Sequence, residues 1–204
     1  MTAVTRESLE VFVVEVLRAM GLSREDADVF GDALIFSELR FHPGHGQGVK
    51  KLKRYQERFS QGLIDLGACW EVLKESPALA LVDAHNGLGT VAAARAMHLA
   101  IEKAKVCGIG QVVVRNSTHF GSSAVHACLA AEVGCIGIAF TNAGPEMAPW
   151  GARESAVGTN PWGIAAPTGL GFPAVLDIAL TTAGKGMMRW HADEGRLIPL
   201  DWAL

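Results

Sequence analysis

The chain has 204 residues, of which 50% are hydrophobic and 19% are charged, with a formal net charge of −3 at pH 7. This composition is typical of a folded globular protein, and the weak negative charge gives no reason to expect a nucleic acid or an anionic membrane as a partner. No apolar run reaches the ~18 residues of a membrane span. The N-terminus lacks the basic segment followed by an apolar segment that marks a signal peptide, so we expect a cytoplasmic protein.

Three helices are predicted in the first part of the chain. The inward face of the first is predicted from its helical spacing to consist of Leu9, Phe12, Val13, Val16, Leu17 and Met20. Ser23 is placed to cap a second helix that ends near Arg40. A loop rich in glycine and histidine, residues 41–48, leads into a third helix that stops at Gly62. These helices predict a helical N-terminal domain, residues 1–65.

Strand-like and helix-like segments alternate in the rest of the chain, residues 66–204. We predict strands at residues 68–73, 78–82, 111–115, 135–141, 162–166 and 174–179. We predict helices at residues 89–107 and 122–133. This part is therefore predicted to be a second, α/β domain.

The cysteines show no C-x-x-C spacing and are Cys69, Cys107, Cys128 and Cys135. In a cytosolic chain, isolated cysteines are most simply small apolar side chains. We therefore interpret them as buried residues rather than metal ligands.

Three loops rich in small and polar residues each lie against an apolar, strand-like run. The first is Asn116–Gly121, which contains His119, and the second spans residues 141–161 and closes in Gly158–Pro161. The third follows the run that ends in Leu176–Ala179. Because loops on a rigid scaffold commonly carry binding and catalysis, we expect the functional site among them.

Four short motifs in these loops carry a family resemblance: His119-Phe120-Gly121, Thr141-Asn142, Gly158-Thr159-Asn160-Pro161 and Asp177-Ile178-Ala179. Their order and spacing resemble those of the malate/L-lactate dehydrogenase family of the second type. That family also contains ureidoglycolate, sulfolactate and diketogulonate oxidoreductases and a cyclic-imine reductase. The resemblance runs from the first helix to Trp202. Family members continue well beyond the position of Leu204, so the resemblance implies a chain that is truncated at its C-terminus.

The resemblance implies an α+β fold that is not a Rossmann fold: a mostly antiparallel, NAD(P)-binding sheet flanked by helices, with a small helical N-terminal domain. It implies an NAD- or NADP-dependent oxidoreductase that transfers a hydride between the nicotinamide cofactor and a small 2-hydroxy or 2-oxo acid, and a homodimer. Two alternatives stay open. One is a cyclic-imine acid reductase of the same family, and the other is a non-catalytic, truncated remnant that can only dimerise.

His119 is the first candidate for the proton exchange that accompanies hydride transfer. Histidine suits this role because its usual pKa lies near neutrality. His119 follows a predicted strand in a loop of small polar residues, and the matching histidine of the family is a proposed proton acceptor. The alternative is a histidine that is merely hydrogen-bonded at a strand end.

A second histidine is implied by the resemblance in the loop that follows Arg40. His45 keeps the family's spacing from Arg40, whereas alignment from the C-terminal side of the loop puts Gln47 at that position. Arg40 is the candidate for holding the substrate carboxylate, with a surface ion pair as the alternative. His42 and His45 have no evident third ligand, so we predict no metal site.

The resemblance places the cofactor at Leu176, Asp177, Ile178 and Ala179, with Thr141, Asn142, Thr159 and Asn160 shaping the same cleft. The alternative is that these residues only form strand ends and turns and are needed for folding rather than for binding. A hydride and a proton must reach the same carbon–oxygen bond. We therefore expect His119 and Asp177 to face one pocket.

A second nucleotide-binding pattern has to be weighed against this one. Gly87–Ala92 fits G-x-G-x-x-A, the phosphate-binding fingerprint of Rossmann folds, and Arg115 at the end of the next strand could suit a 2′-phosphate. A four-residue spacer separates the apolar strand from these glycines, so we favour a glycine-rich start of a core helix. The basic run at residues 50–54 is most simply the solvated face of the third helix, with phosphate binding as the alternative.

Overall fold

The computed structural model describes residues 3–40 and 48–202. They divide into two compact units, the first formed by residues 3–40 and 48–121 and the second by residues 122–202. Both contain helices packed on small sheets, so the mixed α and β composition predicted from the sequence is confirmed. The predicted boundary near residue 65 falls within the first unit, where helices give way to strands, and the division into domains stays a prediction.

The first unit begins with α1 (Arg6–Ala19), α2 (Arg24–Leu39) and α3 (Leu52–Ser60), which follows a 3-10 turn, Val49–Lys51. The Ser23 side chain accepts a hydrogen bond from the backbone N–H of Asp26, as its predicted capping role requires. Capping residues of this kind are worth about 1 kcal/mol, because they satisfy an N–H that the helix itself leaves unpaired.

The core of this unit lies where the three helices meet. Leu17, Phe30 and Tyr55 are buried in it, and the rings of Phe30 and Tyr55 pack edge to face with centroids 4.7 Å apart. Phe12 was predicted to point inward, but it is 55% exposed. The reason is the narrow buried stripe of α1, in which only Val13 and Leu17, one turn apart, are fully enclosed.

A three-stranded sheet completes the first unit. It consists of β1 (Glu71–Glu75), β2 (Leu79–Asp83) and β3 (Gln111–Arg115), in the order β1-β2-β3. The long helix α4 (Gly89–Cys107) connects β2 to β3, which pair in parallel, whereas β1 pairs with β2 antiparallel. The predicted strand at residues 68–73 was placed too early, because β1 begins only at Glu71.

The second unit is built on helix α5 (Ser123–Glu132) and an antiparallel sheet. The sheet consists of β4 (Gly137–Phe140), β7 (Trp162–Ala166) and β8 (Ala174–Ile178), with β7 in the centre. A small hairpin, β5 (Pro145–Met147) and β6 (Val157–Gly158), lies between β4 and β7 in sequence, and α6 (Lys185–Asp193) follows β8. The hairpin and α6 were not predicted.

Several apolar side chains of the sheet and of the first helix are exposed. They include Val11 on α1 and Ile138 and Phe140 on β4. The cysteine interpretation was wrong for two of the four residues. Cys128 is buried, but Cys69 and Cys107 are exposed and Cys135 is half-buried, because the first two lie in a loop and at the last turn of α4. Within the described residues, no helix is long and apolar enough to cross a membrane.

Candidate active site

The loop that carries His119 is packed directly onto the first turn of α4. The Gly89 backbone N–H donates to the Thr118 hydroxyl at 2.9 Å, and that hydroxyl donates to the Gly87 carbonyl at 3.0 Å. A Cβ atom on Gly89 would lie 2.6 Å from the Thr118 carbonyl carbon. The glycine is therefore required by the close approach of the two backbones.

This packing decides how the G-x-G-x-x-A pattern is used in the first unit. β2, α4 and β3 do form a parallel crossover, and Gly87 and Gly89 lie beyond the carboxyl end of β2. Both glycines are nevertheless buried. The Gly89 N–H, which would donate to a phosphate in a Rossmann fold, donates to the Thr118 side chain instead. The pattern serves the packing of the His119 loop.

Arg115 is committed to an ion pair at the end of β3. Its Nε lies 2.7 Å from Oδ2 of Asp83, which also accepts from the Asn116 amide at 2.8 Å. The backbone N–H of His85, together with Arg115 and Asn116, lowers the pKa of Asp83. Because Asp83 is 2% exposed, its carboxylate depends on these partners, so the guanidinium serves a structural role.

His119 is oriented by its own loop. The Gly121 backbone N–H donates to its Nδ1 at 3.1 Å, and Gly121 has a φ of +89°, which favours glycine. A neutral imidazole that accepts at Nδ1 carries its proton on Nε2. This tautomer places an N–H at Nε2, the ring nitrogen that does not accept from Gly121.

The surroundings of His119 disfavour its charged form. The residue as a whole is exposed, but protein packed around the ring removes much of its hydration. This desolvation, together with the positive charges of Lys51, Arg54 and Arg58, lowers the pKa of His119 to about 4. His119 is therefore neutral near pH 7 in the free protein.

The three cations that act on His119 come from one stripe of helix α3 and the turn before it. Lys51, Arg54 and Arg58 follow each other at spacings of three and four residues, which places them on one helical face. Among the described residues, no carboxylate pairs with Arg54 or Arg58, and the Nε of Arg58 is buried without a hydrogen-bond partner. The sequence analysis considered Lys51 and Arg54 only as part of the basic run at residues 50–54, and it did not consider Arg58.

Arg40, the residue predicted to hold the substrate carboxylate, is engaged with its own helix. Its Nη1 donates to the Phe36 carbonyl at 3.1 Å, and its guanidinium lies 3.4 Å from the centre of the Phe36 ring. Its role stays a prediction. His42, His45 and Gln47 lie outside the described residues.

The residues predicted to border the cofactor meet at one end of the strands of the second unit's sheet. Phe140, Trp162 and Ile178 are in register across β4, β7 and β8. Hydrogen bonds join the segments that follow: Thr141 N–H to Pro161 O at 3.2 Å, Leu180 N–H to Thr159 O at 2.9 Å, and Ala143 N–H to Asn160 Oδ1 at 3.0 Å. The structure thus brings Thr141, Asn142, Thr159, Asn160 and Leu176–Ala179 together within one unit.

The Asp177 side chain itself is already bound. Its carboxylate accepts hydrogen bonds from the Ser122 hydroxyl and, at 3.0 Å, from the Ala124 backbone N–H at the start of α5. This leaves the backbone of β8, at the edge of the described sheet, for other interactions. Thr181, four residues after Asp177, has a buried hydroxyl with no partner in the described part of the chain. His119 and Asp177 belong to different units, so their predicted convergence stays a prediction.

Comparison with known proteins agrees with the resemblance seen in the loops. The family model described as malate/L-lactate dehydrogenase matches residues 4–204. Malate dehydrogenase from Pyrococcus abyssi is 42% identical over 201 residues, covering 98% of this chain and 55% of that protein. An NADP-dependent (2R)-3-sulfolactate dehydrogenase from Chromohalobacter salexigens is 33% identical over 195 residues, covering 96% of this chain and 58% of that protein.

A solved structure shows the same fold. The crystal structure of malate dehydrogenase from Entamoeba histolytica superposes with a TM-score of 0.92 at 35% identity, covering 97% of this chain and 55% of that one. The chain belongs to the malate/L-lactate dehydrogenase family. It spans somewhat more than half the length of the relatives it matches.

Proposed function

We propose that the chain is part of a nicotinamide-dependent oxidoreductase that interconverts a small 2-hydroxy acid and its 2-oxo acid. The observation that carries this proposal is His119, whose ring is fixed by Gly121 at Nδ1 and lies in the field of Lys51, Arg54 and Arg58, in a chain whose relatives are dehydrogenases. Reaction of a 2-hydroxy or 2-oxo acid requires a side chain that exchanges a proton with the substrate oxygen, which a positioned imidazole can do. It also requires positive charge that binds the substrate carboxylate.

In this proposal, His119 exchanges the proton on the oxygen of the substrate. Its Nε2 faces away from the Gly121 hydrogen bond and is therefore the atom that donates to a substrate oxygen. The cations of α3 attract the carboxylate and favour the negatively charged alkoxide, because opposite charges stabilise each other most strongly where water is excluded.

We propose that the dinucleotide, NAD or NADP, is bound by Leu176–Ala179 and the adjacent loops rather than by Gly87 and Gly89. The bound cofactor would supply the hydride. The residues fit this role: β8 lies at the edge of the described sheet, and Thr181 offers a buried hydroxyl without a partner. Among the described strands, only β2 and β3 pair in parallel, which supports a binding fold of another kind than the Rossmann fold.

The assembly that we propose is a cytoplasmic homodimer. It is supported by the exposed apolar side chains of Val11 and Phe12 on α1, which are of the kind that a partner subunit would cover.

The experiment that tests the function is a substrate panel with both cofactors. The purified chain is incubated with NADH or NADPH and pyruvate, oxaloacetate or sulfopyruvate, and the loss of reduced nicotinamide is compared with the hydroxy acid formed. The same panel is run on the chain joined to the remaining segment of the Pyrococcus abyssi malate dehydrogenase. We expect equal amounts of cofactor oxidised and hydroxy acid formed with at least one acid. Absence of turnover in both proteins would contradict the proposal.

A further inference from the structure

Two turns of the first unit lie side by side at the carboxyl ends of β2 and β3. One, residues 84–88, leads into α4, and the other, residues 116–121, carries His119. Hydrogen bonds join the two turns and the strand ends before them: Ala84 N–H to Arg115 O at 3.0 Å, Asn86 N–H to Asn116 O at 2.7 Å, and the Thr118 hydroxyl to Gly87 O at 3.0 Å. The turn after β2 therefore sets the position of the His119 loop.

The backbone of both turns is strained. His85, Asn86 and Asn116 have φ values of +45°, +63° and +50°, which lie in the left-handed region. This conformation is unfavourable for residues other than glycine, although asparagine tolerates it better than most. Because such a conformation persists only where the surrounding contacts fix it, the two turns require a group that holds them.

The Asp83 carboxylate is the group that reaches both turns. The residue ends β2 and is 2% exposed. Its Oδ1 accepts from the His85 backbone N–H at 2.9 Å. Its Oδ2 accepts from the Asn116 amide at 2.8 Å and from Arg115 Nε at 2.7 Å. Since hydrogen bonds to a buried charge are strong, one carboxylate fixes a left-handed residue on each turn.

We propose that Asp83 is a positioning residue for His119, because it fixes Asn116 at the start of the loop and thereby the direction in which the loop presents the imidazole. The proposal rests on the proposed function, since it takes His119 as the residue that exchanges the proton. Asp83 itself transfers no proton. A displacement of about 1 Å of a reacting group can cost ~10²-fold in rate, so the position of the loop matters for turnover.

Native-state hydrogen exchange in the purified chain tests the link between Asp83 and the loop. The probes are the amide protons of Asn86 and Gly89, which donate to Asn116 O and to the Thr118 hydroxyl. Asp83→Asn should speed exchange at these probes about tenfold more than in the middle of α4, the amides of which report opening of the whole unit. Equal acceleration at all of these amides would overturn the proposal, because it would show only a loss of overall stability.

An exposed position provides a second variant in case Asp83→Asn does not fold. Asn116→Ala removes the same amide donor but leaves the buried carboxylate with His85 and Arg115. It should give the same local acceleration at Asn86 and Gly89. Exchange at the wild-type rate in Asn116→Ala would overturn the proposal.

Lys103→Met is the matched control. Lys103 is 7% exposed, and its Nζ donates to Glu75 at 2.7 Å and to the Ser76 carbonyl at 2.8 Å, at the opposite end of β2. The variant removes a buried charge and its hydrogen bonds from the same unit without touching the His119 loop. It should leave exchange at Asn86 and Gly89 in step with α4.

Turnover tests the consequence for the reaction, in the chain joined to the remaining segment of the Pyrococcus abyssi malate dehydrogenase. Asp83→Asn should lower kcat roughly 10–10²-fold and leave KM for the 2-oxo acid nearly unchanged, because the orientation of His119 is lost rather than substrate binding. Lys103→Met should keep the wild-type kcat. The double variant Asp83→Asn/Asn116→Asp exchanges donor and acceptor between the two positions and should recover part of the lost kcat. A double variant no faster than Asp83→Asn would overturn the proposal.

The outcome can be told apart from that of the proposed function. Local acceleration of exchange in Asp83→Asn, without turnover of any 2-oxo acid by the wild type, would uphold the link between Asp83 and the loop and contradict the dehydrogenase function. Turnover with the wild-type kcat in Asp83→Asn would uphold the function and contradict this inference.

Discussion

Asp177 accepts a hydrogen bond from the backbone N–H of Ala124 at 3.0 Å, which joins the end of β8 to the first turn of α5. The Ser122 hydroxyl donates to the same carboxylate. The first N–H groups of a helix have no partner within the helix, and a carboxylate placed there also interacts favourably with the helix dipole. The Asp177 side chain therefore anchors the proposed cofactor-binding segment, Leu176–Ala179, to the start of α5.

Replacing this carboxylate tests its structural role. Asp177→Ala should lower the free energy of unfolding by about 2–4 kcal/mol, because it removes two hydrogen bonds to a charged acceptor. Asp177→Asn, which keeps one carbonyl oxygen as an acceptor, should lose less. Urea unfolding measures both, with the exposed Asp201→Asn as the control. If Asp177→Ala unfolds at the wild-type urea concentration, the carboxylate does not hold α5.

Gly89 provides a test of how the G-x-G-x-x-A pattern is used. Gly89→Ala places a Cβ atom against the Thr118 backbone, and overpacking of this kind costs about 1–3 kcal/mol. Gly169→Ala is the control, because a Cβ atom there would meet nothing within 4 Å. Thermal unfolding should separate the two variants clearly. A stable Gly89→Ala protein that has lost cofactor binding would instead support a phosphate role for this glycine.

Arg115 should have no part in the choice of cofactor. Arg115→Gln removes the ion pair with Asp83, so we expect a less stable protein. The ratio of NADPH to NADH affinity, measured by nicotinamide fluorescence, should stay the same. A selective loss of NADPH binding would show that Arg115 contacts a 2′-phosphate.

The lowered pKa of His119 predicts how stability changes with pH. The unfolded chain binds a proton at His119 near pH ~6.5, whereas the folded chain does so only at about 4. Between these values the unfolded state binds more protons, so stability falls as the pH is lowered through this window. His119→Asn should lose less stability than the wild type between pH ~7 and ~5, measured by urea unfolding. Equal losses in both proteins would contradict the shift.

Local sequence patterns were enough to predict much of the fold. The bounds of α4, β3 and β7 agree with the prediction, because glycine, alanine and β-branched residues mark them within the segment itself. Phe12 was misplaced because periodicity gives the apolar face of a helix but not the width that is buried. The fold class was predicted in its coarse form from the same local patterns.

The site could be predicted less well from the sequence, because its contacts join residues that lie far apart in the chain. Asp177 and Ala124 are 53 residues apart, and nothing near either residue indicates its partner. Arg54 and Arg58 have the spacing of any solvated helix face, and only tertiary packing shows that they act on His119. His119 could be proposed from its loop, whereas its lowered pKa comes from desolvation of the ring and from the charges of Lys51, Arg54 and Arg58, which its own loop does not reveal.

The most direct test of the central claim is the rate of 2-oxo acid reduction by His119→Ala. It is measured as loss of reduced nicotinamide in the chain joined to the remaining segment of its Pyrococcus abyssi relative, with the wild-type version as reference. We expect turnover to fall by roughly 10²–10⁴-fold while cofactor affinity stays nearly unchanged, the range for losing a positioned proton donor. Unchanged turnover in His119→Ala would contradict the assignment of His119 as the residue that exchanges the proton.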